Sequence, residues 1–327
     1  MYKSFTPPLE LRVFINAYDK FIVAGHEEPD ADCVGSGLAL ASMLRRLGKT
    51  ALPCSAGPFR KAEVIPYKDL FSARVDEAAR KDAVVIIVDC QSLSRTGSLE
   101  GSLKGLPLAV IDHHAAAPGG GKADCSYIEA SAASATVLIF SLFDALGLPL
   151  TREEAGLLFL GLCTDTGFFR HIDSGGEDVF HTAAALAAAG ASPKNTFAKI
   201  NGGRTLNSRL LLGTVLCHTE SYFGGKLLFT SEELAETELY GIENRDSDML
   251  YQLLMSVEGV EAAAVIRQSS PTQCAIGLRS RDSVDVAKIA SAFGGGGHKN
   301  AAGAYLDGSI PGLKQALISE FKKVFPG

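Results

Sequence analysis

Hydrophobic residues in the first part of the chain form short uninterrupted runs that alternate with longer amphipathic stretches. Residues 21–24, 84–88 and 108–111 are continuous apolar runs, and residues 50–55 are a further strand candidate. Such runs are typical of parallel strands buried on both faces. Helical spacing of apolar residues follows in residues 9–18, 35–47, 134–146, 151–163 and 178–189. Strands that alternate with helices predict an α/β domain with a mainly parallel sheet over residues 1–192.

The pattern changes after Ser192-Pro193. Residues 193–213 are polar and then apolar, which predicts a helical linker. In residues 214–327, strand candidates lie at 216–222, 226–230, 262–268 and 273–279, and helix candidates lie at 231–239, 248–257, 285–293 and 311–324. This order predicts a second, smaller α/β domain with a mixed sheet.

The composition is that of a globular protein, with 46% hydrophobic and 21% charged residues. A net charge of −6 argues against a basic surface that coats long nucleic acid, although it allows a pocket for a short phosphate-bearing ligand. Seven cysteines at scattered spacings, with no Cys-x-x-Cys, indicate a reduced, cytoplasmic protein. We expect no signal peptide and no membrane association, because no apolar segment has the required length.

Acidic and imidazole side chains follow several of the apolar runs. The first strand leads into a loop with His26, Asp30 and Asp32, the run 84–88 ends at Asp89, the run 108–111 ends at Asp112-His113-His114, and Asp165 follows the helix 151–163. In α/β sheets, ligands bind beyond the carboxyl ends of the strands. These side chains are therefore candidates for one site.

Each segment also has a simpler interpretation. The acidic loop can cap the next helix, Asp89 and Asp112-His113-His114 can form polar turns, and Asp165 can belong to a helix C-terminal turn ended by Gly167. The joint argument is stronger: five converging carboxylates would raise one another's pKa unless cations lay between them. Two divalent ions would resolve this, and mixed carboxylate and imidazole ligands suit Mn²⁺ or Mg²⁺. Paired metals of this kind hydrolyse phosphoesters.

The second domain contains an unusual run of four glycines, Gly294, Gly295, Gly296 and Gly297, followed by His298. Without Cβ atoms, the backbone N–H groups of such a run can approach a phosphate closely. A helix C-cap followed by a loose turn is the alternative, but a cap needs one glycine. His298 and Arg279, at the end of a predicted strand, would add a donor and a cation to an anion site.

Together these segments resemble the DHH phosphoesterase superfamily. The resemblance rests on His26-x-x-Pro29-Asp30-x-Asp32, Asp89, Asp112-His113-His114 and Thr164-Asp165-Thr166-Gly167, and on a DHH-associated motif from Gly294 to His298 with Ala301-Ala302-Gly303. Within the superfamily the chain is most similar to bacterial nano-RNases, which degrade short oligoribonucleotides and dephosphorylate 3′-phosphoadenosine 5′-phosphate (pAp).

The resemblance implies roles for these residues. It places His26 and Asp30 on a first Mn²⁺, places Asp32, His113 and Asp165 on a second, and makes Asp89 a ligand of both. Asp112 would orient His113, His114 would contact the scissile phosphate, and Arg279, the glycines and His298 would hold the substrate. A hydroxide shared by the metals would attack phosphorus in a cleft between the domains. Two departures from the family, Ala31 and Cys33, are not expected to touch a ligand.

Alternatives remain open within and outside catalysis. A cyclic-dinucleotide phosphodiesterase would use the same motifs, and a catalytically inactive nucleotide-sensing module would keep the fold alone. An inorganic pyrophosphatase is disfavoured by the glycine motif, and a processive RecJ-type exonuclease is disfavoured by the chain length of 327 residues. We expect a short RNA or nucleotide as substrate, and a homodimer is kept as a candidate assembly.

Overall fold

The computed structural model describes residues 5–115, 123–281 and 283–325, and the expected loop at residues 116–122 lies outside them. The chain divides into two compact units, Met1–Gly203 and Arg204–Gly327. Residues 193–213, expected to form a linker, contain one helix of the first unit and the start of a helix of the second. No described helix is long and apolar enough to cross a membrane.

The first unit is an α/β domain built on a five-stranded, all-parallel sheet. Its strands are β1 (Lys20–Ala24), β2 (Thr50–Cys54), β3 (Val84–Val88), β4 (Leu108–Asp112) and β5 (Cys125–Ile128), in the order β2-β1-β3-β4-β5. Its helices are α1 (Leu9–Ala17), α2 (Ala31–Arg46), α3 (Glu77–Arg80), α4 (Glu100–Leu103), α5 (Ala135–Ala145), α6 (Arg152–Asp165), α7 (Glu177–Ala188) and α8 (Pro193–Asn201). The expected parallel α/β architecture is confirmed.

The central strands β3 and β4 are buried at every position, as their unbroken apolar runs predict. Alternate side chains enter different cores, because successive residues of a strand point to opposite faces. Val84 and Ile86 join the large core with helices α2, α5 and α6, whereas Val85 and Ile87 join a smaller core on the other face. The sheet is therefore covered on both faces. Its acidic residues Asp89 and Asp112 lie at the carboxyl ends of the central strands.

The second unit has a six-stranded mixed sheet in the order β10-β11-β9-β8-β7-β6. Its strands are β6 (Glu220–Tyr222), β7 (Leu227–Glu232), β8 (Ala262–Gln268), β9 (Gln273–Ser280), β10 (Gly296–His298) and β11 (Ala301–Asp307), and only the pair β7 and β8 is parallel. Its helices are α9 (Leu206–Cys217), α10 (Leu234–Tyr240), α11 (Ser247–Met255), α12 (Val286–Ser291) and α13 (Ile310–Val324). The expected mixed sheet is confirmed.

Several element boundaries differ from the sequence prediction. Residues 216–217 end helix α9 and do not begin a strand. Helix α2 begins at Ala31, four residues earlier than predicted, because Asp30 caps it. The strands β5, β10 and β11 were not predicted; β10 and β11 contain glycine and alanine where strands usually carry β-branched residues.

Candidate metal centre

The predicted site residues of the first unit meet at the carboxyl-terminal edge of its sheet. Strands β1, β3 and β4 are neighbours and run parallel, so the residues after them emerge side by side. His26 follows β1 by two residues, Asp89 follows β3 directly, and Asp112 ends β4. Three separate segments of the chain are thereby brought to one place.

Asp30 shows that helix capping and a site position are compatible in one residue. Its Oδ1 accepts hydrogen bonds from the backbone N–H groups of Asp32 and Cys33, both at 3.1 Å, at the start of α2. The same oxygen lies 3.8 Å from His26 Nε2, and Oδ2 lies 4.0 Å from Lys61 Nζ. The simple capping interpretation is therefore correct but incomplete.

Asp32 is a fully buried carboxylate held by a distant helix. Its Oδ2 accepts a hydrogen bond from Ala135 N at 2.6 Å, and its Oδ1 accepts one from Thr136 N at 2.9 Å. Both donors belong to the first turn of α5, where unpaired N–H groups and the helix dipole favour an anion. The carboxylate is thus fixed in place by a segment about 100 residues further along the chain.

Asp89 occupies the middle of the cluster. It is 3% exposed and has a φ of +57°, a conformation that residues other than glycine seldom adopt. Its Oδ2 lies 3.3 Å from His26 Nε2, while its Oδ1 lies 3.5 Å from His113 Nε2. Oδ1 has no hydrogen-bond partner among the described residues. The two oxygens therefore face two different imidazoles.

The Asp112-His113-His114 segment differs from its expected arrangement. Asp112 Oδ1 accepts hydrogen bonds from the backbone N–H of His113 at 2.9 Å and from His114 Nδ1 at 2.8 Å. The His113 ring instead places Nδ1 3.3 Å from the carbonyl oxygen of Ala132. The expectation that Asp112 orients the ring of His113 is therefore wrong, and Asp112 orients His114.

His113 and His114 present their rings differently. His113 Nε2 is buried, has no hydrogen-bond partner among the described residues, and lies 3.3 Å from Asp165 Oδ2 and 3.7 Å from Asp32 Oδ2. The side chain of His114 is 60% exposed. His113 thus has the position of a ligand enclosed by carboxylates, and His114 has the position of a group that reaches solvent.

The pKa shifts of the buried carboxylates show an excess of negative charge in this cluster. Burial, together with repulsion from Asp30 and Asp89, raises the pKa of Asp165 to about 7. Burial and repulsion from Asp89 and Asp165 also raise the pKa of Asp32 well above its usual range. In the absence of a cation, protons must therefore stabilise the buried carboxylates.

The two histidines carry the complementary shift. Burial lowers the pKa of His26, but the carboxylates of Asp30 and Asp89 outweigh it and raise the pKa to about 10. Burial likewise opposes the charged form of His113, and Asp89 and Asp32 raise its pKa to about 9. Contact with His26 and with the backbone N–H of Cys33 overcomes burial and lowers the pKa of Asp30 to about 2. Without a metal ion, the protonated rings of His26 and His113 therefore supply the positive charge that a bound cation would otherwise supply.

The donor atoms fit divalent metal ions. Within residues 5–115, 123–281 and 283–325, three groups have ligand atoms within 4.8 Å of one another: His26 with Cys33 and Asp89, Asp89 with His113 and His114, and Asp32 with His113 and Asp165. The unsatisfied buried atoms Asp89 Oδ1 and His113 Nε2 belong to these groups. A metal ion would satisfy both atoms, so the residues present fit the metal implied by the sequence.

The second unit brings Arg279 and His298 together on one sheet. Arg279 of β9 lies opposite Ala301 of β11, and Ala301 lies opposite His298 of β10. Residues directly opposite in an antiparallel sheet point to the same face, so the two side chains flank Ala301. The guanidinium of Arg279 lies 4.6 Å from the centroid of the Tyr251 ring, which limits its movement.

The four glycines have different structural roles. Gly294 has a φ of +72° after α12, as a helix cap requires. A Cβ on Gly295 would overlap the carbonyl oxygen of Gly303, and one on Gly297 would collide with β11. Gly296 has open space beside its Cα. The run thus permits β10 to pair closely with β11, which sequence reasoning missed.

The structure also corrects the expectation for Cys33. Its N–H donates to Asp30, and its Sγ belongs to the group with His26 and Asp89. It therefore contacts the site that it was expected to avoid. The available signal was its position directly after Asp32 in the acidic loop.

Comparisons with known proteins agree with this fold and its two-unit order. Residues 20–162 match the model of the DHH family, N-terminal domain, and residues 232–325 match the DHHA1 domain. The bifunctional oligoribonuclease and PAP phosphatase NrnA of Thermus thermophilus is 32% identical over 88% of this chain and 84% of its own length. A Bacteroides fragilis exopolyphosphatase-related protein shares the fold with a TM-score of 0.80 at 20% identity, covering 97% of this chain and 94% of its own.

Two further relatives carry names relevant to chemistry. The cyclic-di-AMP phosphodiesterase GdpP of Geobacillus thermodenitrificans is 26% identical over 97% of this chain, which spans 49% of that relative. A probable manganese-dependent inorganic pyrophosphatase of Streptococcus thermophilus is 30% identical over 45% of this chain and 48% of its own length. The two family models cover separate parts of the chain in the expected order, and the NrnA relative spans both. The chain therefore belongs to the DHH phosphoesterase family, with a DHHA1 domain in its second unit.

Proposed function

We propose that this protein is a metal-dependent phosphoesterase that hydrolyses short oligoribonucleotides to mononucleotides and removes the 3′-phosphate of pAp. The observation that carries the proposal is the position of Asp89, whose two carboxylate oxygens face His26 and His113 separately. A carboxylate placed in this way suits a pair of metal ions that share it as a ligand. The similarity to NrnA across both units supports the choice of substrates.

Two Mn²⁺ ions are the proposed cofactors, with Mg²⁺ as a substitute. His26, Asp30 and Asp89 would hold one ion, and Asp32, Asp89, His113 and Asp165 would hold the other. Oxygen and imidazole donors suit Mn²⁺, and one related enzyme is named as manganese-dependent. When bound, such ions lower the pKa of the attacking water and neutralise charge on the phosphate.

His114 is the residue proposed to act on the substrate. Its Nδ1 donates to Asp112 Oδ1, so Nε2 is free to face a ligand, and the ring is exposed. When it carries a proton, Nε2 would donate to a phosphate oxygen or to the leaving oxygen. Asp112 is therefore a positioning residue for His114, while His113 is a metal ligand.

The second unit is proposed to bind the rest of the substrate. Arg279 and His298 flank one position on the sheet face, which suits a terminal phosphate or a nucleotide. Gly294 and Gly296, which have open space beside them, would allow its close approach. A few local contacts of this kind are sufficient for a short substrate, so a net charge of −6 is no obstacle.

Cyclic dinucleotides and their linear products are the second candidate substrates, because the GdpP similarity also extends across both units. An inactive nucleotide-sensing module is less well supported, because every proposed ligand position carries a side chain able to bind metal.

A cytoplasmic location agrees with the seven free cysteines. A homodimer is a further proposal, which sedimentation of the purified protein would test.

The proposal is tested by a Mn²⁺ assay on four substrates: a diribonucleotide, a longer oligoribonucleotide, pAp and cyclic di-AMP. We expect rapid hydrolysis of the diribonucleotide and pAp, slower hydrolysis of the longer chain, and loss of all activity after chelation. Preference for cyclic di-AMP would favour the second candidate. Failure on all four substrates, with metal bound, would leave the sensing module.

A further inference from the structure

The thiol of Cys33 occupies a space that the backbone leaves for it beside the metal centre. Cys33 is the third residue of α2 and is 4% exposed. A Cβ on Gly25, the residue before His26, would overlap Cys33 Sγ, so only glycine at this position leaves room for the sulfur. The N–H of Cys33 donates to Asp30 Oδ1, which fixes the residue next to a proposed ligand.

This sulfur belongs to a group of potential metal ligands. Cys33 Sγ, a ring nitrogen of His26 and a carboxylate oxygen of Asp89 lie within 4.8 Å of one another. The geometry of Asp89 also suits a cation here, because the carboxylate is 3% exposed and its Oδ2 lies 3.3 Å from His26 Nε2, a member of the same group. A buried carboxylate is costly unless a positive charge contacts it.

We propose that Cys33 is a ligand of the metal ion held by His26, Asp30 and Asp89. The inference rests on the two-metal site of the proposed function and extends it to the choice of metal. Binding releases the S–H proton to solvent, because the thiolate is the ligating form. The group around Asp32, His113 and Asp165 contains no sulfur among the described residues.

The two proposed metal sites therefore differ in their ligand atoms, because only the site with Cys33 offers a soft sulfur ligand among the described residues. Thiolate ligands favour zinc-like ions, whereas carboxylates and imidazoles accept Mn²⁺ and Mg²⁺. The site with Cys33 prefers Zn²⁺ or Co²⁺ over Mn²⁺, and the other site lacks this preference. Mixed metal occupancy is the expected consequence when both kinds of ion are available.

X-ray absorption of the zinc-loaded full chain tests the assignment without reference to activity. The protein is stripped with a chelator and loaded with one and with two equivalents of Zn²⁺. Sulfur ligands lie at about 2.3 Å from zinc, and nitrogen or oxygen ligands at about 2.0–2.2 Å. We expect a sulfur shell in the wild type at one equivalent, and its share of the ligands to fall by about half at two equivalents as the sulfur-free site fills.

Variants identify the cysteine responsible. Cys33→Ser and Cys33→Ala should lose the sulfur shell, and the ratio of Zn²⁺ to Mn²⁺ affinity should fall by about tenfold or more. Cys54→Ala is the matched control: Cys54 is equally buried, lies on β2 and has its Sγ 3.7 Å from the carbonyl oxygen of Leu52. The control should keep the sulfur shell. With Co²⁺, a sulfur-to-cobalt charge-transfer band should follow the same pattern.

The outcomes separate this inference from the proposed function. Two bound ions with only nitrogen and oxygen ligands in the wild type would overturn the role of Cys33 and leave the two-metal site intact. A sulfur shell that persists in both Cys33 variants would overturn it as well. Failure to bind stoichiometric metal would overturn both proposals. The wild-type spectrum is decisive even if a variant does not fold.

Discussion

At the residue scale, Asp89 combines an unusual backbone with an unusual position. Its φ of +57° is uncommon for a residue with a side chain, and its N–H donates to the carbonyl oxygen of Ile111 at 3.0 Å. Strained conformations of this kind persist where the surrounding structure enforces them, and they cluster at functional sites. The turn directs each carboxylate oxygen toward a different imidazole.

Asp89→Asn is the substitution that tests this residue. Asparagine adopts the left-handed conformation readily and has almost the same volume, so we expect the fold to survive. The amide lacks the charge needed by two metal ions, so Mn²⁺-dependent kcat/KM should fall by more than about 100-fold. Calorimetry should show fewer than two bound Mn²⁺ ions.

Asp285→Asn provides the matched control, because Asp285 caps α12 in the second unit and asparagine caps helices equally well. It should leave activity and metal binding unchanged. Full activity in Asp89→Asn would contradict the role of Asp89 as a shared ligand.

The hydrogen bonds of Asp112 lead to a different prediction. Because Asp112 bonds to the ring of His114 and only to the backbone of His113, Asp112→Asn should lower kcat by about 10–100-fold. Mn²⁺ stoichiometry and affinity should remain close to those of the wild type. Equal losses in metal affinity and kcat would show instead that Asp112 acts through His113.

At the element scale, the long apolar runs were the most reliable sequence signal. The run at residues 84–88 became β3 with identical bounds, because a strand buried on both faces must be apolar throughout. The strand-end positions of Asp89 and Asp112 followed from such runs. Strand order, however, depends on pairing between distant segments, and β5 was missed because its short sequence mixes polar and apolar residues.

Part of the site could not have been predicted from any local pattern. Asp32 is held by the N–H groups of Ala135 and Thr136, and the ring of His113 faces the carbonyl oxygen of Ala132. Backbone groups leave no mark in the sequence, and these contacts span 19 to 104 residues. The candidate ligand side chains were therefore visible in the sequence, whereas the groups that orient them required the fold.

Arg279, Ala301 and His298 lie opposite one another on three neighbouring strands of the second sheet, and this arrangement gives a prediction for the element. His298→Ala should raise KM for pAp by about tenfold, because one donor to a charged phosphate is lost, and should leave Mn²⁺ binding unchanged. The adjacent variant Lys299→Ala is the control and should have a near-normal KM. A defect of His298→Ala that is confined to metal binding would contradict its assignment to the substrate.

At the scale of the whole molecule, the centre links stability to pH. In the metal-free protein, folding raises the pKa of Asp165 to about 7, that of His113 to about 9 and that of His26 to about 10. Each raised pKa contributes stability that is fully present below the pKa of the unfolded chain and is lost as pH rises through the folded value. The metal-free protein should therefore become less stable from mildly acidic to alkaline pH.

Bound Mn²⁺ should reverse this trend, because it replaces protons at the same ligands. We expect the Mn²⁺-induced increase in Tm to be larger at about pH 8 than at about pH 6, as measured by calorimetry. Asp165→Asn removes the group that titrates near pH 7 and should reduce the difference. An increase in Tm that does not depend on pH would contradict this coupling.

In the proposed centre, the carboxylate of Asp89 joins two metal ions at the carboxyl-terminal edge of the first sheet. Anomalous diffraction at the manganese edge, from crystals of the full chain grown with Mn²⁺, tests it most directly. We expect two manganese peaks about 3.5–4 Å apart, with Asp89 contacting both ions. A single peak, or two peaks of which only one contacts Asp89, would contradict it.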